Sequence, residues 1–121
     1  MTEIVDFHAH VYFTEETADQ ALALCEAARD RFGLSMGRFH KKLVGPHPCW
    51  SCQLAFPPEQ FGAVVPWLAL HRDGLTIFTH PETGDDLVDH TRHAIWMGQM
   101  LPLDLRQFQK AAQQDGADGG R

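Results

Sequence analysis

A ferredoxin-like α+β domain is the fold class that this 121-residue sequence predicts, and three observations carry it. Several segments alternate apolar and polar residues with period two. Two others carry apolar residues at helical spacing. Their order along the chain is strand, helix, strand, strand, helix, strand. That βαββαβ order gives a four-stranded antiparallel sheet with two helices on one face. Residues 81–110 follow as a C-terminal extension, so 1–110 is expected to form a single domain and 111–121, small, polar and Gly-rich, a disordered tail.

Residues 4–13 read as the first strand, with Val5, Phe7, Ala9, Val11 and Phe13 on one face and Ile4, Asp6, His8, His10 and Tyr12 on the other. Thr14 offers an N-cap, with Glu15 and Glu16 where a helix dipole favours anions. The first helix then carries Ala18, Ala21, Leu22, Cys25, Ala28 and Phe32, and Gly33 ends it. Residues 38–44 read as a polar edge strand, broken by the rigid "GPHP" turn. Residues 50–56 form the third strand. The second helix starts in "PPEQ" and runs to about residue 71, with Pro66 expected to kink or interrupt it. Asp73 and Gly74 turn the chain into a fourth strand over 75–80. Nothing in this core covers the second face of the sheet, so a homodimer through that open face is expected to bury Tyr12 and Phe78.

Composition narrows the function. A hydrophobic share of 44% excludes a disordered chain, and a net charge of −6 with ten scattered basic residues leaves no footprint for nucleic acid. No apolar run approaches the roughly 20 residues that span a bilayer, and no signal-peptide pattern opens the chain. A cytoplasmic location with no membrane partner is the expectation. Three cysteines, Cys25, Cys49 and Cys52, argue against a disulfide framework. "CWSC" has the form of a redox pair, but it leads into a strand rather than a helix N-terminus, and alternation sends its two thiols to opposite faces. Cys52 is expected to serve packing.

Eight histidines in so short a chain are the unusual feature, because imidazole is both the commonest metal ligand and the usual acid–base group near neutral pH. His8 and His10, two apart on a strand, stand about 6.6 Å apart on one face, close enough to converge on one ion. On the fourth strand, His80 shares the open face and pairs toward the start of the first strand. His47, in the "GPHP" turn, precedes a third strand taken to run parallel to the first, which places it near the same end. Four histidines from three segments thus meet at one rim. Asp85, Asp86, Asp89, His90 and His93 follow directly and could supply a carboxylate ligand, hydrogen-bond acceptors for the imidazoles or a proton relay. An equally simple reading is a solvated helix with i,i+4 pairs at Asp86–His90 and Asp89–His93. Imidazole with an available carboxylate suits Fe(II) or Zn(II).

Together, "DFHAHVYF", "GRFHKKLVGPHP", "WSCQLAF" and "FTHPETGDDLVDHTRHAIWMG" resemble the DOPA 4,5-dioxygenase family of small bacterial and fungal proteins, and "LPLDLRQF" resembles its closing segment. The likeness runs over roughly residues 3–108. It implies a ferredoxin-like fold and extradiol cleavage of a catechol ring by O2; the family's named reaction opens L-DOPA between carbons 4 and 5. The histidine motifs carry over onto His8, His10, His47 and His80. The match does not assign metal and acid–base roles among them; the expectation here is Fe(II), with Zn(II) as a substitute, on His8, His47 and His80. His10 and His90 are the expected acid–base groups, and Arg38, His40 or Lys42 could bind a substrate carboxylate, the alternative being a plain exposed edge strand. The partners implied are a catechol and O2. The alternative is a metal-binding or regulatory ferredoxin-like dimer without chemistry.

Overall fold

The structure is a computed structural model that describes residues 2–110. The expected α+β architecture is present, with one strand more than the sequence pattern suggested. Strand β1 (Asp6–Phe13) leads through helix α1 (Ala18–Phe32) to β2 (Ser35–His40) and β3 (Trp50–Phe56). Helix α2 (Phe61–His71), β4 (Ile77–Glu82), the short helix α3 (Asp86–Asp89) and β5 (Ile95–Met97) follow. The sheet order is β2-β3-β1-β4-β5, and every neighbouring pair is antiparallel.

Alternation along β1 decides the layering. Ala9 and Val11 are fully buried beside Cys52, Leu54 and Ile77, and Ala21, Cys25, Ala28, Val64 and Leu68 close the same core from α1 and α2. Each fully buried large aliphatic side chain contributes roughly 1.5–3 kcal/mol relative to an exposed one. Cys52 is one of these packing residues, and all three cysteines are free thiols. Gly33 ends α1 in the left-handed conformation at φ 68°, and its N–H donates to the Arg29 carbonyl. Among the described residues, no helix is long and apolar enough to cross a membrane. The expected tail, 111–121, lies outside the described residues.

Several boundaries differ from the expectation, each for a local reason. Thr14 does not cap α1. Its N–H donates to Thr17 Oγ1 across a turn, and the helix begins at Ala18. β2 comes earlier than residues 38–44 because the chain turns at Gly33, and Met36 and Phe39 pack against the core. A bulge lies between them, where Gly37 and Arg38 together oppose Gln53. Helix α2 continues through Pro66 without interruption. β4 starts and ends two residues later than 75–80, because Leu75 still belongs to the turn closed on the Arg72 carbonyl. Its far end includes Pro81, where β5 no longer pairs with it.

Two corrections bear on the site. β3 runs antiparallel to β1, with Trp50 opposite Phe13, so His47 enters from the end of β1 rather than its start. The second face of the sheet is also not open. The Trp96 side chain of the edge strand β5, α3, the 41–49 loop and the helical residues 106–110 lie over it, and Tyr12 and Phe78 are only 3% and 0% exposed. The closing segment is tied to the loop by the Asp104 N–H, which donates to the Pro46 carbonyl at 2.8 Å. A dimer through this face therefore loses the bare apolar surface that motivated it.

Candidate metal centre

The pairing register assembles the site. His8 stands directly opposite His80 across the β1–β4 ladder, and His10 opposite Phe78. Because side chains alternate, His8, His10, Phe78 and His80 all project from the face opposite the helices. His10 Nε2 and His80 Nε2 are 3.1 Å apart, and the His8 ring centroid lies 5.3 Å from that of His80. One ligand atom from each of His8, His10 and His80 falls within 4.8 Å of the others.

The tautomers are set by what surrounds each ring. His80 Nδ1 donates to the Pro81 carbonyl at 3.0 Å, which leaves Nε2 with a lone pair turned toward His10. His8 Nδ1 lies 3.0 Å from Glu82 Oε1, and its Nε2 lies 3.6 Å from Asp6 Oδ2. A carboxylate behind an imidazole is the usual way to orient a metal-binding histidine and raise its basicity. Burial pushes the Glu82 carboxyl above its ordinary range, partly offset by His8.

Burial also sets the charge state. Desolvation holds His80 at about 4, the Pro81 carbonyl working the other way, and holds His47 at about 4 with help from His90 and His40. His10 is pushed well below the ordinary histidine value by burial, and then by His47, His80 and His8. His10, His47 and His80 are therefore neutral at pH 7. Crowding them together gives each little that favours folding, whereas neutral imidazole lone pairs are what a divalent cation needs. Two nitrogens about 2.1 Å from one ion and at right angles to each other would be about 3.0 Å apart, close to the separation found between His10 and His80. The donor set therefore fits a first-row divalent metal.

The expected ligands His8 and His80 are brought together, but His47 is not in this cluster; His10 takes its place. His47 comes from the opposite end of β1, shares a 2.8 Å hydrogen bond through Nδ1 with the Tyr12 hydroxyl, and packs with its ring centroid 4.1 Å from that of His10, tilted by 42°. His90, at the end of α3, lies 4.1 Å from the His80 ring and 4.4 Å from Phe108. Its Nδ1 donates to the Asp86 carbonyl, leaving Nε2 free. His40 pairs with Ser51, which pairs with Tyr12, so it shares the histidine face. Arg38 is exposed at the β2 bulge.

The acids between residues 85 and 93 do not join the cluster. Asp85 accepts from the Val88 N–H as the cap of α3. Asp89 is fully buried and accepts from the Thr83 N–H, the Thr83 hydroxyl and His93 Nδ1 at 2.7, 2.8 and 2.9 Å. Burial alone would raise its carboxyl; those three donors hold it below its usual value. The carboxylates beside the histidines are instead Asp6 and Glu82, which face each other in register. Ending the fourth strand at residue 80 concealed Glu82, although it follows His80 by two and so shares its face.

Comparison with known proteins was made on this geometry. The chain matches the model of the Dopa 4,5-dioxygenase family over residues 7–107. A protein of Botryotinia fuckeliana, described only as an uncharacterized 21.2 kDa protein, is 39% identical over 123 residues, which cover 92% of this chain and 67% of that one. The DOPA 4,5-dioxygenase of Amanita muscaria is 33% identical over 113 residues, covering 86% of this chain and 50% of the fungal protein. The chain thus spans only half to two thirds of these relatives. A crystal structure from Nostoc punctiforme, provisionally described as a dioxygenase, superimposes with a TM-score of 0.77 at 42% identity, covering 90% of this chain and 94% of that one.

Proposed function

Because the chain belongs to the Dopa 4,5-dioxygenase family, we propose that it is a metal-dependent dioxygenase that opens a catechol ring by extradiol cleavage, with L-DOPA or a related catechol as substrate. The observation that carries this reading is the convergence of His8, His10 and His80 within 4.8 Å. It is supported by the DOPA 4,5-dioxygenase description of the Amanita relative.

In this reading, the three imidazoles hold Fe(II). Zn(II) fits the same donors but lacks the redox chemistry that O2 activation needs. A bound Fe(II) supplies a Lewis acid that lowers the catechol pKa, and a redox centre that lets ring and O2 exchange electron density. The protein's own groups do the rest. Glu82 and the Pro81 carbonyl aim His8 and His80. His47, anchored by Tyr12, and His90, anchored on Asp86, each keep one ring nitrogen free beside the cluster. They are placed to accept a proton from a catechol hydroxyl and return it to the opening ring. The acid–base role expected for His10 passes to His47, and the metal role expected for His47 passes to His10; His90 keeps the role expected of it. Phe108 and the closing segment keep bulk water from the buried side. Arg38 and His40 offer cationic and polar groups at the rim for a substrate carboxylate.

Oxygen uptake by anaerobically Fe(II)-loaded protein, measured over L-DOPA, caffeate and protocatechuate while the yellow ring-opened product is followed optically, tests the proposal. Turnover of at least one of them, lost on chelation and in His80→Ala, is the expected result. A folded, Fe(II)-loaded protein that consumes no O2 with any of them would favour a non-catalytic metal-binding role.

A further inference from the structure

One residue along from the His8–His80 pair, Phe7 pairs with Pro81. Alternation turns those two side chains to the opposite face of the sheet, away from the histidines. There they join Ile4, Phe61 and Ile95 in lining a pocket of about 630 Å3. That volume lies within the roughly 300–1,000 Å3 typical of small-molecule sites. Its wall is mainly apolar, and the Phe7 and Phe61 ring centroids are 4.7 Å apart at an interplanar angle of 49°, a surface suited to an aromatic ring.

Thr2, Thr83 and His93 add polar groups to the wall, and the buried Asp89 carboxylate organises the last two. The two Thr83 donors already tie Asp89 across the turn between β4 and α3. The third bond, from His93 Nδ1, also fixes the His93 ring, whose side chain stays 39% exposed. With Nδ1 committed to Asp89, Nε2 is the ring's remaining polar atom, and in the neutral ring it is an acceptor. A mostly apolar pocket with one oriented acceptor selects a ligand that is mostly ring and carries one donor.

We propose that this pocket is a second binding site, separate from the histidine cluster, for a small phenol. Its ring lies against Phe7 and Phe61, and its hydroxyl donates to His93 Nε2. Binding here needs no metal. The inference does not depend on the catalytic reading, because the two sites lie on opposite faces of the sheet and share no side chain.

The test is calorimetric titration of the chelator-treated 121-residue protein with p-cresol, and with its methyl ether, which lacks the donor. Saturable binding is expected below about 10 mM, weaker by about fivefold or more for the ether, as the loss of one hydrogen bond implies. His93→Ala should weaken p-cresol to the level of the ether. Ile4→Trp, an exposed position on the pocket wall, should block it, and His80→Ala should leave it unchanged. The proposal fails if p-cresol does not saturate, if His93→Ala and Ile4→Trp bind it as the parent does, or if His80→Ala abolishes it.

Discussion

The two faces of β1 solve different problems with alternate residues of one segment. On the helix side, Phe7, Ala9, Val11 and Phe13 pack into a core in which each group gains by leaving water. On the other side, His10 and Tyr12 are nearly as well hidden and His8 partly so, yet two elements of the cover bring more imidazoles to this face: His47 from the loop, beside His10, and His90 from the end of α3, beside His80. Burial stabilises the first face. On the second it holds His10, His47 and His80 uncharged at some cost in folding. The contrast separates residues that hold the fold from residues that the fold holds.

His10 and Val11 are adjacent in sequence and on opposite faces, so replacing each with alanine breaks the comparison most sharply. His10→Ala should reduce O2 uptake by about a thousandfold or more through loss of a ligand, while the urea midpoint stays within error or rises. Val11→Ala should cost about 2 kcal/mol of stability through its lost burial and residual cavity, with turnover per folded molecule unchanged. If Val11→Ala loses turnover and His10→Ala loses stability, the division between the faces is wrong.

The second test is acid. His47 and His80 sit at about 4 in the folded chain against about 6.5 when unfolded. Between those values the unfolded chain binds more protons, so stability falls as pH drops through that window, by at most about 1.4 kcal/mol per pH unit for each histidine. Above about pH 6.5 this contribution is fully present. Urea unfolding of metal-free protein at pH 7, 6 and 5 should show the decline, and His80→Phe should make it shallower. A flat profile would mean that the rings are not held neutral by burial.

Much of this division was legible in the sequence. Period two in "VDFHAHVYF" assigned His8 and His10 to one face, and placing His80 on the same face needed only the antiparallel pairing of the last core strand with the first. The separated histidine motifs also pointed to the right family. What could not be read lies in connections without periodicity. The direction of β3 decides from which end His47 arrives, and the hairpin after β2 reverses it relative to β1. The 41–49 loop then has to fold back over Tyr12, held partly by a bond from Asp104, 58 residues after Pro46, which no local pattern announces. The cover provided by Trp96, His90 and Phe108 is similarly a tertiary event. Each residue sits in a segment too short or too irregular to show a helix or strand period, so the histidine face looked bare.

The smallest expected effect concerns the one buried side-chain polar atom without a hydrogen-bond partner among the described residues. Thr79 lies on the helix face of β4, opposite Ala9 and Ile95, and is fully buried. Its Oγ1 has no hydrogen-bond partner among the described residues. A buried hydroxyl without a partner carries a desolvation cost that an isosteric methyl does not. Thr79→Val keeps the β-branched shape that a strand favours and should raise stability by about 1 kcal/mol, seen as a higher urea midpoint with an unchanged slope. O2 uptake should not change, because the side chain points away from His80. A loss of stability would mean that the hydroxyl has a partner, such as a buried water, and that the core face of this sheet is less uniformly apolar than its packing indicates.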